Sequence, residues 1–178
     1  MATPLPTFTI PTPFHHLGVT TADGQVIGIA MVDDTICRPP SNPSEVAIAR
    51  EIEAYCHDPS HGWQLSVRLQ GSHFQQRVWK LLQSIPPGAT RSYGSLAASL
   101  GTSARAVGNA CRRNPLLLVV PCHRVVAATS LGGFSGERDG RLLNVKRALL
   151  AHEGAITNWD HQPSTGSCML AADSTESR

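Results

Sequence analysis

Apolar positions along the chain fall into short alternating stretches first and into helical stripes later. Residues 14–19 and 25–32 are rich in aliphatic and β-branched side chains and flank Ala22-Asp23-Gly24, which predicts two strands joined by a turn. Residues 44–55 place Val46, Ala49, Ile52 and Tyr55 on one face, which predicts a helix stopped at Asp58-Pro59. Residues 64–69 alternate again and predict a further strand. Beyond Gly71 the period lengthens. Phe74, Val78, Leu81, Leu82 and Ile85 form one apolar stripe, ended by Pro86-Pro87-Gly88. Ser92 can cap a helix bearing Tyr93, Leu96, Ala97 and Leu100, and Gly101 breaks it. Thr102 or Ser103 can cap a second helix over 104–112, which Asn114-Pro115 stops. Two short helices around a glycine turn form a helix-turn-helix pattern. Residues 116–120 are an apolar run, and 141–152 predict a last helix with Leu142, Val145, Leu149 and Leu150 inward, closed by Gly154.

The pattern predicts a small α/β N-terminal domain over 1–70, with an antiparallel sheet plus a helix. A mainly α domain with the helix-turn-helix follows over 71–154. The Pro/Thr-rich residues 1–12 read as a loose arm, and the polar residues 155–178 as a disordered tail. A chain of 178 residues suffices for a substantial core. It has no run of 18 apolar residues and no secretory signal, so no membrane association is expected.

Charge adds a functional direction. Residues 1–65 carry two Arg against seven acidic residues, a net of −5, whereas 66–153 carry twelve Lys/Arg against three acids, a net of +9. Such segregation points to a face that binds a polyanion. The five cysteines are odd in number and form no CxxC, so disulfides are not expected. His15, His16, His57 and His61 make no familiar ligand spacing with them, and no metal is expected.

The chemistry concentrates in Val119-Val120-Pro121-Cys122-His123-Arg124-Val125-Val126. A thiol is a nucleophile as its thiolate, and an adjoining His or Arg can lower its pKa. The octapeptide by itself equally suits a buried core strand. The preceding helix offers one long cation, Arg105, among Ala104, Ala106 and Gly108. Small residues there allow close approach to DNA, and a lone long cation can probe between bases, a combination that suits a narrow minor groove and an enzyme that displaces a base. The same residues also suit a helix packed on a partner, with Arg105 reaching solvent.

These motifs together resemble the O6-alkylguanine-DNA alkyltransferase family. Pro121-Cys122-His123-Arg124-Val125, Arg105-Ala106-Val107-Gly108, Asn114-Pro115 and Leu149-Leu150-Ala151-His152-Glu153-Gly154 carry the resemblance, which runs from about residue 71 to 154. It implies a single-turnover repair reaction on duplex DNA carrying O6-alkylguanine, with base flipping through the minor groove and no cofactor. By resemblance, Cys122 is the alkyl acceptor, His123 the base that removes the thiol proton through a bound water, and Glu153 the carboxylate that orients it. Asn114 ties the recognition helix to the active-site turn, and Tyr93 hydrogen-bonds guanine N3. The Val125 carbonyl and the Ser135 N–H hold the flipped guanine. The implied DNA-contacting set is Ala104, Arg105, Ala106, Gly108, Arg112 and Arg113, with Arg105 filling the vacated stack.

Two departures from the family pattern stand out. Phe134 keeps a ring where a Tyr is common but lacks its hydroxyl, and the connection over 137–144 is longer and charged. An alkyltransferase-like lesion sensor would replace the acceptor Cys, which is retained here. A helix-turn-helix transcription regulator would need a dimerisation element and polar base readers, and neither is visible. A monomer is expected, cytoplasmic or, in a eukaryote, nuclear.

Overall fold

The computed structural model describes residues 5–33, 35–136 and 140–155. The predicted tail beyond 155 and residues 137–139 of the long connection lie outside them. Strands β1 (Phe8–Ile10), β2 (Leu17–Ala22) and β3 (Gln25–Met31) form an antiparallel sheet in the order β1-β2-β3. Asp23 and Gly24 join β2 to β3 with φ of 51° and 74°, the left-handed pair that a two-residue hairpin turn requires.

Within the arm expected over 1–12, residues 8–10 instead form the edge of this sheet, and residues 1–4 lie outside the described residues. Phe8 and Ile10 are buried, and Phe8 pairs with Val19. The prolines at 6 and 11 flank the strand, a position where a missing N–H costs no ladder bond. The strand expected from residue 14 begins at Leu17, because the Thr12 hydroxyl accepts from the N–H groups of Phe14 and His15 and turns the chain. The strand expected over 64–69 reduces to a single parallel bridge, Val67 to Val26.

Helix α1 (Pro43–His57) starts with Asn42 accepting from the Glu45 N–H and Pro43 in the first turn. It buries Glu45, Ala49, Ile52 and Tyr55. Glu45 replaces the expected Val46 on that face because its carboxylate collects the N–H and hydroxyl of Ser41. Helix α2 (His73–Gln83) opens with a reciprocal Ser72–Gln75 capping box. Its Trp79, absent from the predicted stripe, is buried and donates its indole N–H to the Ala110 carbonyl at 2.9 Å.

The pattern-based helices α3 (Tyr93–Leu100) and α4 (Ala104–Arg112) are present, capped by Ser92 and Ser103 and joined through left-handed Gly101. Helix α5 (Arg141–His152) completes the set. One pairing had no sequence signal. The two-residue strands β4 (Arg91–Ser92) and β5 (Val125–Val126) lie parallel and bring the start of α3 beside the Cys-His-Arg segment. The apolar core is continuous, and β3 meets the 115–117 segment through Ile29, which donates to Pro115 and accepts from Leu117. No described helix is long and apolar enough to cross a membrane.

Candidate active site

Cys122 is placed by a folded loop rather than by a strand. Residues 116–120 are all buried, and the chain reverses at Leu118, whose φ of 70° is costly for a branched side chain. Asn114 closes the loop: its Oδ1 accepts from the Leu116 N–H at 3.0 Å and its Nδ2 donates to the Val120 carbonyl at 2.8 Å. The same Nδ2 lies 3.3 Å from Cys122 Sγ. Cys122 then opens a short 3₁₀ turn, Cys122–Arg124.

The thiol is 4% exposed. Burial pushes its pKa up, against the opposing pull of the Asn114 amide and the Lys146 charge. The sequence-based expectation that an adjoining His or Arg lowers it is therefore reversed. The Arg124 guanidinium turns to Glu153. His123 is fully buried, and burial holds its pKa below 6.5 despite the Glu153 contact, so the imidazole is neutral at pH 7. The resting nucleophile is a protonated thiol that needs a base.

Glu153 follows the last turn of α5 and collects four donors. Its Oε1 accepts from Tyr55 Oη at 2.7 Å, His123 Nε2 at 2.8 Å and Arg124 Nη2 at 2.8 Å; its Oε2 accepts from Arg124 Nε at 2.9 Å. Burial disfavours the carboxylate, but the hydrogen bonds and charge of His123 and Arg124 outweigh it and hold the pKa at about 2. An ionised Glu153 can only accept, so the neutral imidazole carries its proton on Nε2. Nδ1 then has a free lone pair, and it is buried without a hydrogen-bond partner among the described residues. That is the state of a proton acceptor.

The other side of the site is organised by Lys146. Its Nζ is buried and donates to the carbonyls of Val125 at 2.6 Å, Leu131 at 2.5 Å and Gly133 at 3.1 Å. Burial lowers its pKa to about 8, partly offset by Cys122 and Cys111. Tyr93 donates its hydroxyl to the same Gly133 carbonyl at 3.2 Å, and burial pushes its phenol pKa up, which keeps it a donor. A Cβ at Gly132, with φ of 67°, would fall 3.0 Å from the Tyr93 ring, so this close approach requires glycine. Ser135 is exposed, with φ of 49°, and follows the buried Phe134. The Val125 carbonyl already accepts from Lys146.

Helix α4 buries Val107, Ala110 and Cys111 and leaves Ala104, Arg105, Arg112 and Arg113 exposed, with Ala106 and Gly108 half-buried. Arg112 lies across Gly136, where a Cβ would sit 2.8 Å from its Nε. The helix is thereby tied to the loop that carries Ser135.

Sequence reasoning missed Tyr55, Arg124 and Lys146. Lys146 carried a signal, since it stands one turn from Leu142 and Leu149 on the inward stripe of α5. Tyr55 read as an ordinary core aromatic. Of the histidines considered as ligands from the sequence, His61 pairs with Glu51 at 3.1 Å. Among the described residues no three His, Cys, Asp or Glu side chains gather in a way that could hold a metal.

Residues 73–155 match the family model for the DNA-binding domain of 6-O-methylguanine DNA methyltransferase. The methylated-DNA--protein-cysteine methyltransferase of Mycolicibacterium paratuberculosis is 40% identical over 155 residues, 82% of this chain and 90% of that one. Its counterpart from Archaeoglobus fulgidus is 39% identical over 121 residues, 66% and 81% of the two chains. The crystal structure of Mycobacterium tuberculosis O6-methylguanine methyltransferase superposes with a TM-score of 0.69 at 35% identity, covering 83% of this chain and 91% of that one. The structure of the M. tuberculosis protein in complex with DNA gives 0.67 at 35% identity, with the same coverage. The likeness extends well beyond the Cys-His motif into the N-terminal sheet, and on that breadth the chain belongs to the methylated-DNA--protein-cysteine methyltransferase family.

Proposed function

We propose that this protein repairs DNA by moving the alkyl group of O6-alkylguanine onto Cys122, once per molecule. The observation that carries the proposal is the Glu153–His123 pair, next in sequence to a buried thiol: an ionised carboxylate on Nε2–H leaves Nδ1 a free acceptor, which takes the Cys122 proton through an intervening water. The sulfur then attacks the alkyl carbon and the carbon–O6 bond breaks. The bonding pair leaves with the guanine, and the product is a thioether. Tyr93 hydrogen-bonds N3 of the leaving base and offsets the charge building there. The Val125 carbonyl and the Ser135 N–H hold the base edge, and Asn114 positions the sulfur. A thioether has no leaving group that water displaces readily, so the reaction ends with the protein alkylated.

Residues 71–154 serve as the DNA-binding and acceptor domain, and 1–70 as the small α/β domain. One chain supplies every group in the scheme, so the working unit is a monomer, and its place is the cytoplasm. Incubation with duplex DNA containing O6-methylguanine should add a single methyl group, found by intact mass and mapped to Cys122. Repeated turnover, or methyl on Cys111, would exclude the proposal.

DNA reaches the site along the exposed face of α4, where Ala104, Ala106 and Gly108 allow close approach. Arg105 fills the stack vacated by the flipped base, while Arg112 and Arg113 meet phosphates. Arg105→Ala should slow repair of duplex DNA far more than reaction with free O6-benzylguanine. Arg113→Ala should weaken binding to DNA without that contrast. Equal slowing of both substrates by Arg105→Ala would make Arg105 a structural residue.

A further inference from the structure

We infer that Tyr55, from the N-terminal segment, is a positioning residue for alkyl transfer, acting on His123 through the carboxylate of Glu153. The inference rests on the Glu153–His123 pair proposed above as the source of the base. Tyr55 is buried at the inner face of α1, 98 positions from Glu153 in the chain, and donates its hydroxyl to Oε1 at 2.7 Å. That oxygen is the one that accepts from His123 Nε2. The phenol and the imidazole therefore share one acceptor, and the strength of one bond sets the strength of the other.

The phenol is held from several sides. Its ring stacks on Trp63 with centroids 5.3 Å apart, and the His152 ring meets it edge-on at 5.5 Å. His152 Nε2 also lies 2.9 Å from the Tyr55 carbonyl. Consecutive residues at the end of α5 thus grip the backbone and the hydroxyl of one tyrosine. The placement of Glu153 depends on α1 as well as on α5. Burial and the neighbouring carboxylate both push the Tyr55 pKa up, so the hydroxyl stays a donor throughout the working pH range.

The charged and titratable groups facing this pair are His123, Arg124 and Tyr55 on Glu153, with Lys146 and Arg124 acting on His123. Cys56 and His152 lie against Tyr55, and His61 packs on the far ring of Trp63. A hydroxyl donor disperses the negative charge on Oε1. Without it, that oxygen holds the imidazolium more strongly and raises the pKa of His123. His123 must be neutral to accept the thiol proton, so the acid limb of the pH–rate profile should move to higher pH.

Tyr55→Phe, which keeps the ring and its stack on Trp63, tests this on the full chain with methylated duplex DNA. Transfer at pH 7 should slow by about threefold at most, far less than the roughly 10²-fold expected for Glu153→Gln. The acid limb should rise by about one pH unit. In a double-variant cycle, Tyr55→Phe should cost little further once Glu153 is Gln, because the path runs through that carboxylate. Unchanged rate and pH profile, or additive losses in the cycle, would overturn the role of Tyr55. An unchanged rate in Glu153→Gln would instead remove the underlying relay. The unsubstituted protein offers a check that needs no variant. Two protons bonded to Oε1 should show a nuclear Overhauser contact between the Tyr55 hydroxyl and His123 Nε2–H, and its absence refutes the shared acceptor.

Discussion

Cys122→Ser abolishes methyl transfer and leaves DNA binding close to that of the parent; this is the largest effect expected of any single substitution. Sulfur and oxygen differ little in size, so Asn114 can still donate to the side chain and the 116–120 loop can still close. What is lost is acidity. Burial already raises the Cys122 thiol, and an alkoxide in the same surroundings is far less accessible to a neutral imidazole. Arg105, Arg112 and Arg113, the cations proposed to meet DNA, are exposed and lie outside the buried array. Affinity for duplex DNA should therefore persist and fall steeply with added salt, as phosphate contacts dictate. Intact mass and gel-shift titration across salt concentrations measure the two halves. Residual methylation of the Ser variant would point to a second acceptor. Cys111 is the one to examine, although burial pushes its thiol up strongly.

Glu153→Gln should slow transfer about 10²-fold, the loss expected when a positioned base loses its orienting charge. The amide can accept from His123 or donate to it, so the Nε2–H tautomer is no longer enforced and Nδ1 is no longer reliably the free base. A second effect accompanies the first. Arg124 loses the only carboxylate it contacts among the described residues, and its buried charge is left uncompensated, at a cost of about 3 kcal/mol in stability. The two effects separate by measuring rates well below the unfolding temperature.

Their pH dependences also differ. The folded-state pKa of Glu153 is depressed from 4.5 to about 2, so its stabilisation is complete above pH 4.5 and is lost as pH falls towards 2. The stability gap between parent and Gln variant should close over that interval. A gap that stays constant down to pH 2 would show that the carboxylate is not held ionised. The rate defect should persist at neutral pH, where His123 is uncharged.

Much of this was legible in the chain because it depends on local rules. The helix pair α3–α4 follows from Ser92, Gly101 and Ser103, which act within a turn of where they stand. The inward face of α5 follows from a 3.6-residue period, and the β2–β3 hairpin from Asp23-Gly24. Cys122, His123 and Glu153, the residues proposed as acceptor, base and orienting carboxylate, were singled out by their resemblance to short family motifs. The edge strand β1 was not, since flanking prolines look like a loose arm until β2 is there to pair with it. The strand expected over 64–69 failed for the converse reason: only Val67 finds a partner.

Residue identity, together with resemblance to a known family, named candidate side chains for chemistry and the helices near them. Only the folded chain decided their protonation states. The octapeptide of Cys122 suits an activated thiol and a core residue equally, and burial makes the thiol a protonated one, because desolvation depends on what packs above it and not on its neighbours in sequence. Arg124 adjoins His123 in the chain but serves Glu153. Tyr55 and Lys146 stand among ordinary helix residues, and they acquire roles because α1 and α5 converge on one carboxylate and three carbonyls. Electrostatic work in a low-dielectric interior is set by distances of a few ångströms, and those distances exist only after distant segments have packed.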